Sequence, residues 1–405
     1  GYENVILDNP VKGGGPFLVG RRMEGAHLPT ILTYGHGDVI RGLDAQWRDG
    51  LNPWVLKHEG DRWYGRGTAD NKSQHSINMA AIRTVLEERG SLGFNSIFMI
   101  DTSEEIGSPG LYEFAKAYKH LLKSDLLIGS DGPRLAPDRP TIFMGTRGAL
   151  NFDLTVDFRE GGHHSGNWGG LLANPGLILA NALATIVDRN GKILVRDLVP
   201  KGISQSVRAA LADLKVEPEP NGPSIDPWWG EPGLTAEEKV FGWNSFEVLA
   251  FKTGNPDNPV NAVPPSATAW CQLRFVVDTD PDDIIPILRR HLDAHGYEAI
   301  KVVANGGAAR ATRVDPDHPA AQWARASIAA TTGKKPAMLP NLGGTLPNDC
   351  FADTLGLATI WVPHSYTSCN QHAPNEHVLG PVLREGLAMM TGLFWDMGEN
   401  PPHLT

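Results

Sequence analysis

Strand-like and helix-like segments alternate along the first third of the chain, and this pattern constrains the fold more than any other feature. Apolar runs at residues 30–34, 96–100 and 125–128 have the length and composition of buried strands. Residues 73–88, between the first two runs, carry apolar side chains at the spacing of one helical face. Alternation of this kind predicts an α/β fold, with a mainly parallel sheet between helices on both faces.

The pattern changes at about residue 149. Residues 150–156 alternate between apolar and polar side chains, as in a strand with one solvent-exposed face. Further helix-like segments (174–188, 281–295) and strand-like segments (246–251, 266–277, 298–303) follow it. We therefore expect residues 149–304 to form an antiparallel α+β domain, inserted into an α/β domain made of residues 1–148 and 305–405.

Residues able to bind metal ions follow the predicted strands of the α/β part. They are His36 and Asp38, Glu104 and Glu105, Asp131, a later loop with His364 and His372, and Asp70 just before the first helix. The carboxyl ends of parallel strands form the crevice in which ligands bind. Each residue alone is an ordinary loop residue, but their coincidence at successive strand ends predicts a hydrolytic metal site.

Several sequence segments carry a resemblance to a known family. They read His36-Gly37-Asp38, Gly65-Arg66-Gly67-Thr68-Ala69-Asp70-Asn71-Lys72, Glu104-Glu105-Ile106-Gly107-Ser108, Asp131 and His372. Together they resemble the dinuclear zinc peptidases that include carboxypeptidase G, aminoacylase, succinyl-diaminopimelate desuccinylase and carnosine dipeptidase. The resemblance runs through nearly the whole chain. It implies a zinc-peptidase catalytic domain with an inserted lid or dimerisation domain.

The resemblance also implies two divalent metal ions and a role for each site residue. The implied ligands are His36, Asp70, Glu105, Asp131 and His372. Asp70 would be shared by both ions, with a cis peptide bond to Asn71, and Asp38 would accept a hydrogen bond from His36. Glu104 would be the general base that takes a proton from the water between the ions. Zinc is the expected metal, and manganese or cobalt suits the same ligands.

The last ligand is assigned to His372 because the family places it shortly before a Pro-x-Glu-type stretch, which His372-Ala373-Pro374-Asn375-Glu376 fits. We expect His364 and His377 to be ordinary loop or helix-start histidines. Cys369 has no counterpart among the family's ligands, and we expect it to be a packing residue.

The resemblance assigns further residues to the substrate. His164, in Gly162-His163-His164-Ser165-Gly166, would reach the active site of a partner subunit in a homodimer formed through the lid and stabilise the oxyanion. Asn261 and Arg274 match substrate contacts of the lid, and an arginine suits a substrate carboxylate. The loop Gly343-Gly344-Thr345 resembles the substrate loop of carnosine-type dipeptidases.

Three functions stay open at this point. An Asp at the position of Asp131 accompanies aminopeptidase or dipeptidase activity in the family, which favours a dipeptidase acting on small peptides that bear a free carboxylate. An N-acyl amino acid deacylase or another amidohydrolase of C–N bonds is the alternative. A non-catalytic peptide-binding relative is disfavoured, because a binding protein does not need the general base Glu104.

Composition narrows the partners. The net charge of −10 argues against nucleic acid and against an anionic membrane as partners, because both bind basic surfaces. Hydrophobic residues make up 41% of the chain, which is enough for a sizeable core.

The chain has three widely spaced cysteines and no signal segment. We therefore expect a cytoplasmic protein without a disulfide framework. Relatives carry a helix and a strand before His36, so either the chain is truncated or this layer of the sheet is missing.

Overall fold

The chain forms a larger sheet of eight strands and a smaller sheet of four. The structure, a computed structural model, describes residues 1–216 and 223–404. The main strands in chain order are β1 (Glu3–Leu7), β2 (Phe17–Arg22), β3 (Thr30–His36), β4 (Asn95–Asp101), β5 (Leu126–Gly129), β6 (Thr141–Phe143), β7 (Gly148–Asp157), β8 (Ser245–Thr253), β9 (Ser266–Phe275), β10 (Lys301–Ala304), β11 (Ala337–Leu339) and β12 (Ala358–Trp361).

The helices and the shorter strands connect these elements. The helices of six or more residues are α1 (Lys72–Arg89), α2 (Leu111–Ala117), α3 (Pro175–Ile186), α4 (Gln205–Leu211), α5 (Ala236–Phe241), α6 (Pro281–Ala294), α7 (Pro319–Thr332) and α8 (Gly380–Glu399). The remaining strands have two or three residues each; they are Lys57–Glu59, Arg62–Tyr64, Pro133–Arg134, Gly145–Thr146, His163–His164, Ala262–Val263, Thr312–Arg313, Ser365–Tyr366 and His377–Leu379. No helix within the described ranges has both the length and the apolar character needed to span a membrane.

The larger sheet has the order β1-β2-β4-β3-β5-β12-β6-β11. Its centre is parallel, because β3 pairs in parallel with β4 and β5, and β12 with β5. Antiparallel pairs flank this centre: β1 with β2, β2 with β4, and β12 with β6. The predicted α/β fold is therefore confirmed, as a mixed sheet whose centre is parallel.

Successive residues of the central strands face opposite cores, as the period of two in a strand requires. Ile31 of β3 packs in the core formed with α1, α7 and α8, whereas Leu32 packs in the core formed with α2, α4 and α5. All seven residues of β3 are buried. A strand covered on both faces reads as an unbroken apolar run, which is why residues 30–34 were recognisable in the sequence.

The smaller sheet is antiparallel, with the order β8-β9-β7-β10. β9 alternates strictly between buried and half-buried residues, and α3 and α6 pack on its buried side. All four strands and both helices lie in the range 149–304, apart from Gly148 at the start of β7. Helices α4 and α5 belong to the same range but pack against the larger sheet. The division at residues 148 and 305 stays a prediction.

Residues 3–22 form an antiparallel hairpin for which the sequence analysis expected no element. The hairpin, β1 and β2, extends the larger sheet beyond β4. Two strands therefore precede β3 in this sheet.

Candidate active site

The carboxyl ends of three neighbouring strands bring most of the predicted residues together. His36 is the last residue of β3, and Glu104 and Glu105 begin a single 3-10 turn after β4. Asp131 lies two residues after the end of β5. Because β3 runs parallel to both neighbours, these three ends meet at one edge of the sheet. Asp70 joins them from the loop that precedes α1.

Asp70 lies between two histidines and presents a different carboxylate oxygen to each. Its Oδ1 is 2.9 Å from His36 Nε2, and its Oδ2 is 3.0 Å from His372 Nε2. A carboxylate with this arrangement can bridge two cations. The peptide bond between Asp70 and Asn71 is cis, as the resemblance implies.

Each histidine also faces a second carboxylate. His372 Nε2 is 3.0 Å from Glu105 Oε2, and His36 Nε2 is 3.7 Å from Asp131 Oδ2. Potential ligand atoms of His36, Asp70 and Glu105 all lie within 4.8 Å of one another. The geometry therefore offers two adjacent groups of one histidine and one carboxylate, with Asp70 common to both.

Asp38 orients the residues around it. Its Oδ1 accepts a hydrogen bond from the backbone N–H of Glu104 at 3.1 Å, and its Oδ2 accepts one from Glu105 at 3.0 Å. Asp38 Oδ1 also lies 3.4 Å from His36 Nδ1. Glu104 Oε2 is 3.8 Å from His36 Nε2, so this carboxylate lies beside the two groups.

The charges at this edge of the sheet are suited to cations. Five carboxylates lie there, those of Asp38, Asp70, Glu104, Glu105 and Asp131. Within the described ranges, no Lys or Arg side chain lies at ion-pair distance from any of the five. Asp131 Oδ2 is buried and has no hydrogen-bond partner in the described part of the chain. Because buried charges need a partner, this set fits divalent metal ions.

Burial and mutual repulsion shift the titration of these groups. Burial, followed by the charge of Asp131, raises the pKa of Glu104 to about 8. Burial, followed by the charge of Asp70, raises the pKa of Asp131 to about 7. Hydrogen bonds to Asp70 and Glu105 raise the pKa of His372 to about 10. Burial lowers the pKa of His36, but hydrogen bonds to Asp38 and Asp70 outweigh it and raise that pKa to about 12.

Residues that the sequence analysis did not assign hold the loop of Asp70 in place. Glu376 Oε1 accepts hydrogen bonds from the backbone N–H groups of Ala69 at 2.8 Å and Asp70 at 3.1 Å. Glu376 Oε2 pairs with Arg66 Nη1 at 2.6 Å, and both side chains are buried. Gln371 Nε2 donates to Asp70 Oδ2 at 2.5 Å. The sequence offered one signal, since Glu376 ends the segment that identified His372.

The two other histidines of this region have different surroundings. His364 is fully buried, and its Nε2 lies 3.2 Å from Ser130 Oγ. His377 Nδ1 lies 3.0 Å from the carbonyl oxygen of Asn375. Cys369 is buried in a small apolar cluster with Ala69. Each of the three side chains therefore contacts other groups of the protein, and the expectation that none of them binds a metal stays a prediction.

The structure brings the predicted arginine and the glycine loop together. Arg274, near the end of β9, donates from Nη1 to Thr345 Oγ1 at 2.8 Å. Thr345 follows Gly343 and Gly344 in the loop after β11, and its hydroxyl donates to the carbonyl oxygen of Arg147 at 3.0 Å. Arg274 has no carboxylate at ion-pair distance in the described ranges, so its charge is available to an anion.

His164 and Asn261 lie next to each other. The backbone N–H of Ser165 donates to the carbonyl oxygen of Asn261 at 2.8 Å, and His164 pairs with Ala262 in a short antiparallel ladder. Both His164 and Asn261 are exposed. Among the described residues, no hydrogen bond or ion pair connects His164 or Asn261 to the carboxylates at the strand ends.

Comparison with known proteins gives a family and a fold. The sequence profile of Peptidase family M20/M25/M40 matches residues 32–396. A cysteinylglycine-S-conjugate dipeptidase of Corynebacterium striatum is 26% identical over 362 residues, which are 85% of this chain and 76% of the relative. A β-Ala-His dipeptidase of Rattus norvegicus is 35% identical over 184 residues, 44% of this chain and 37% of the relative. That second alignment therefore covers less than two thirds of the relative.

Solved structures show the same fold. An M20 family metallo-carboxypeptidase of Sulfolobus solfataricus, 23% identical, aligns over 98% of this chain and 91% of its own with a TM-score of 0.79. A Bacillus subtilis M20 family peptidase described as dinuclear metal binding, 13% identical, aligns over 98% of this chain and 88% of its own with a TM-score of 0.61. At these identities the alignments establish the architecture.

Proposed function

The chain belongs to peptidase family M20/M25/M40, and on this basis we propose that it is a metal-dependent dipeptidase in which Glu104 transfers the proton. The observation that carries the proposal is the position of Asp70, which presents one oxygen to His36 and the other to His372. Glu104 lies beside this pair without sharing Asp70, as a base that is not a ligand would.

The residues present fit two divalent ions. His36 and Asp131 would hold one ion, His372 and Glu105 the other, and Asp70 both. When bound, the ions would polarise the scissile carbonyl and lower the pKa of water to about 7. Zinc, manganese and cobalt all suit this mixture of nitrogen and oxygen ligands.

The protein's own groups would move the proton. The carboxylate of Glu104 accepts a proton from the attacking water, whose oxygen forms the new bond to the carbonyl carbon. The same proton is then delivered to the nitrogen of the leaving amine as the C–N bond breaks. Asp38 keeps Glu104 in place for both steps through the hydrogen bond to its backbone N–H.

Arg274 would bind the free carboxylate of the substrate. Its guanidinium is half-buried, donates to Thr345 and Gln272, and has no carboxylate at ion-pair distance in the described ranges. A planar guanidinium can donate two parallel hydrogen bonds to a carboxylate. The loop Gly343-Gly344-Thr345 lies against Arg274 and would line the same subsite.

The relatives favour a dipeptide over an N-acyl amino acid. The relatives of Corynebacterium striatum and Rattus norvegicus are both dipeptidases by name. The deacylase alternative is therefore not favoured.

A homodimer is part of the proposal. β8 is an edge strand of the smaller sheet, and several apolar side chains on it are exposed; they are Val248 (43%), Leu249 (58%) and Phe251 (43%). An exposed apolar edge strand can pair with a second chain. Within the described ranges no hydrogen bond or ion pair connects His164 to the carboxylates of its own chain. Following the family resemblance, we expect it to act in the active site of the partner subunit, where it would stabilise the oxyanion.

A substrate screen tests the proposed function. Metal-free protein is supplied with zinc, manganese or cobalt, and dipeptides are compared with N-acetyl amino acids that carry the same C-terminal residue. We expect turnover of dipeptides that depends on added metal, with Glu104→Gln as the inactive control. Faster cleavage of the N-acetyl series would contradict the dipeptidase proposal while leaving the metal site intact.

A further inference from the structure

The loop of the N-terminal hairpin, residues 8–16 between β1 and β2, contacts the turn that carries Glu104. At the start of this turn, the backbone N–H of Gly15 donates to the hydroxyl of Ser103, and Thr102 Oγ1 donates to the carbonyl oxygen of Pro16 at 2.7 Å. At its end, Asn9 Nδ2 donates to the carbonyl oxygen of Pro109 at 2.8 Å. The hairpin loop therefore binds both ends of the segment 102–109.

Two glycines allow this close approach. A Cβ on Gly14 would lie 2.8 Å from the carbonyl oxygen of Pro109, and a Cβ on Gly15 would lie 2.9 Å from that of Thr102. Both distances are too short for a side chain, and both oxygens belong to the backbone. Any larger residue would push the hairpin loop and the turn apart.

Asn9 also gives the hairpin loop its shape. Its Oδ1 accepts a hydrogen bond from the backbone N–H of Val11 at 2.8 Å, and its Nδ2 donates to the carbonyl oxygen of Gly15 at 2.9 Å. One side chain thus joins the two ends of the loop to each other and to Pro109. The contact is built from several bonds and does not depend on a single one.

The turn is also held by its own backbone, by Asp38 and by Asp101, whose Oδ1 accepts a hydrogen bond from the backbone N–H of Ser103 at 2.8 Å. Within the turn, the backbone N–H of Ser108 donates to the carbonyl oxygen of Ser103 at 2.9 Å, and Ile106 is 69% exposed at its tip. Asp38 binds the N–H groups of Glu104 and Glu105 from the side of β3. The hairpin loop and Asp38 therefore hold the turn from two sequence-distant elements.

We propose that the hairpin loop is a positioning element for Glu104, with Ser103 and Asn9 as its positioning residues. The proposal rests on the proposed role of Glu104 as the group that transfers the proton. A proton acceptor must stay within hydrogen-bond reach of the attacking water, and a misplacement of about 1 Å can cost about 100-fold in rate. The loop limits such movement without contacting the substrate.

The test is a double-mutant cycle. Ser103→Ala and Asn9→Ala, which act at opposite ends of the turn, are each made in the wild type and in Glu104→Gln. In the wild type we expect kcat to fall about 10- to 100-fold, with KM within about twofold and the metal content unchanged. In Glu104→Gln, which has already lost the proton-transferring group, the same changes should cost less than about twofold more. Ser103→Thr keeps the hydroxyl and should restore most of the activity.

Lys12→Ala is the matched control, because this exposed residue of the same loop has no side-chain partner in the described ranges. Equal losses in both backgrounds, lost metal, or unchanged kcat in both variants would each overturn the proposal. Failure of the proposed function is distinguishable, since Glu104→Gln alone would then keep its activity.

Discussion

The proposed division of roles between two neighbouring glutamates assigns proton transfer to Glu104 and metal binding to Glu105. Asp38 binds their backbone N–H groups with separate oxygens, so the two residues are fixed independently. Glu105 reaches His372 at 3.0 Å, whereas Glu104 lies 3.8 Å from His36. Asp131, a proposed ligand, lies at a similar 3.7 Å from the same nitrogen of His36. The distance therefore does not separate the two roles, and the division between Glu105 as a ligand and Glu104 as the base stays a prediction.

A pair of substitutions tests this division. Glu104→Gln should keep both metal ions and most of the substrate affinity but reduce kcat by about 10²–10⁴-fold, the usual contribution of a general base. Glu105→Gln should reduce the metal content, because an amide is a weaker ligand than a carboxylate. Elemental analysis together with steady-state kinetics separates the two effects. Loss of metal in Glu104→Gln alone would mean that the two roles are exchanged.

At this scale the sequence indicated the candidate ligands and missed the residues that hold them. His36, Asp70 and Glu105 belong to short motifs at predicted strand ends, and the structure places them together. Glu376 contacts Ala69 and Asp70 across 307 and 306 positions, and Asn9 contacts Pro109 across 100. Contacts between residues so far apart leave no local pattern, so they cannot be read from spacing.

At the scale of elements, the predicted strands with the most buried faces were the easiest to recognise. β3 is buried along its whole length, but β1 is almost entirely exposed. Its apolar residues, 5–7, are consecutive and do not alternate with polar residues as in a strand with one buried face. Ser108 and Pro109 have the residue types of an N-cap and a first helical position, yet α2 begins at Leu111. Gly110 takes its N-cap position with a positive φ of 83°, a conformation that glycine adopts readily.

The buried pair between Arg66 and Glu376 links the loop of Asp70 to the loop of His372. Glu376→Gln would leave the guanidinium of Arg66 buried without its charge partner, which costs about 3–5 kcal/mol of unfolding free energy. We also expect Glu376→Gln to retain metal less tightly, because the carboxylate of Glu376 accepts a hydrogen bond from the backbone N–H of Asp70. Urea denaturation and metal titration measure the two effects.

An exposed ion pair of the same length provides the control. Arg48 Nη2 and Glu59 Oε2 are also 2.6 Å apart, but their side chains are 52% and 34% exposed. Solvent screens such a pair, so Glu59→Gln should leave stability and metal retention unchanged. Equal losses in the two variants would show that the pair between Arg66 and Glu376 has no special role.

For the whole molecule, the raised pKa values couple stability, pH and metal. In metal-free protein, Glu104 and Asp131 have pKa values of about 8 and 7, above the ordinary 4.5 and 3.8. The folded state then holds these protons more tightly than the unfolded state. These two groups therefore make the stability of the folded state fall as the pH rises from about 4 to about 8. The raised pKa values of His36 and His372 act in the same direction at higher pH.

Burial lowers the pKa values of His75 and His364, which makes stability rise with pH below about pH 7. The melting temperature of metal-free protein should therefore fall between about pH 7 and pH 8.5, where these histidines are neutral in both states. Metal ions should act oppositely, because they displace these protons, so the stabilisation by added metal should grow with pH. Thermal melts with and without metal, over a series of pH values, measure both trends. A melting temperature of metal-free protein that rises across this window would contradict the assignment of the two carboxyl groups.

The largest-scale prediction is that one active site needs two chains, and it concerns the role that the family resemblance implies for His164. This exposed residue lies next to Asn261, and no hydrogen bond or ion pair in the described ranges connects it to the carboxylates of its own chain. The family resemblance implies an isologous dimer in which this histidine enters the partner's site. Mixing inactive Glu104→Gln with inactive His164→Ala should then restore activity. About half of the dimers would be mixed, each with one intact site, which gives about a quarter of the wild-type rate.

A tagged pull-down must first show that subunits exchange between the two variants. If they exchange and no activity returns, His164 does not act across the dimer.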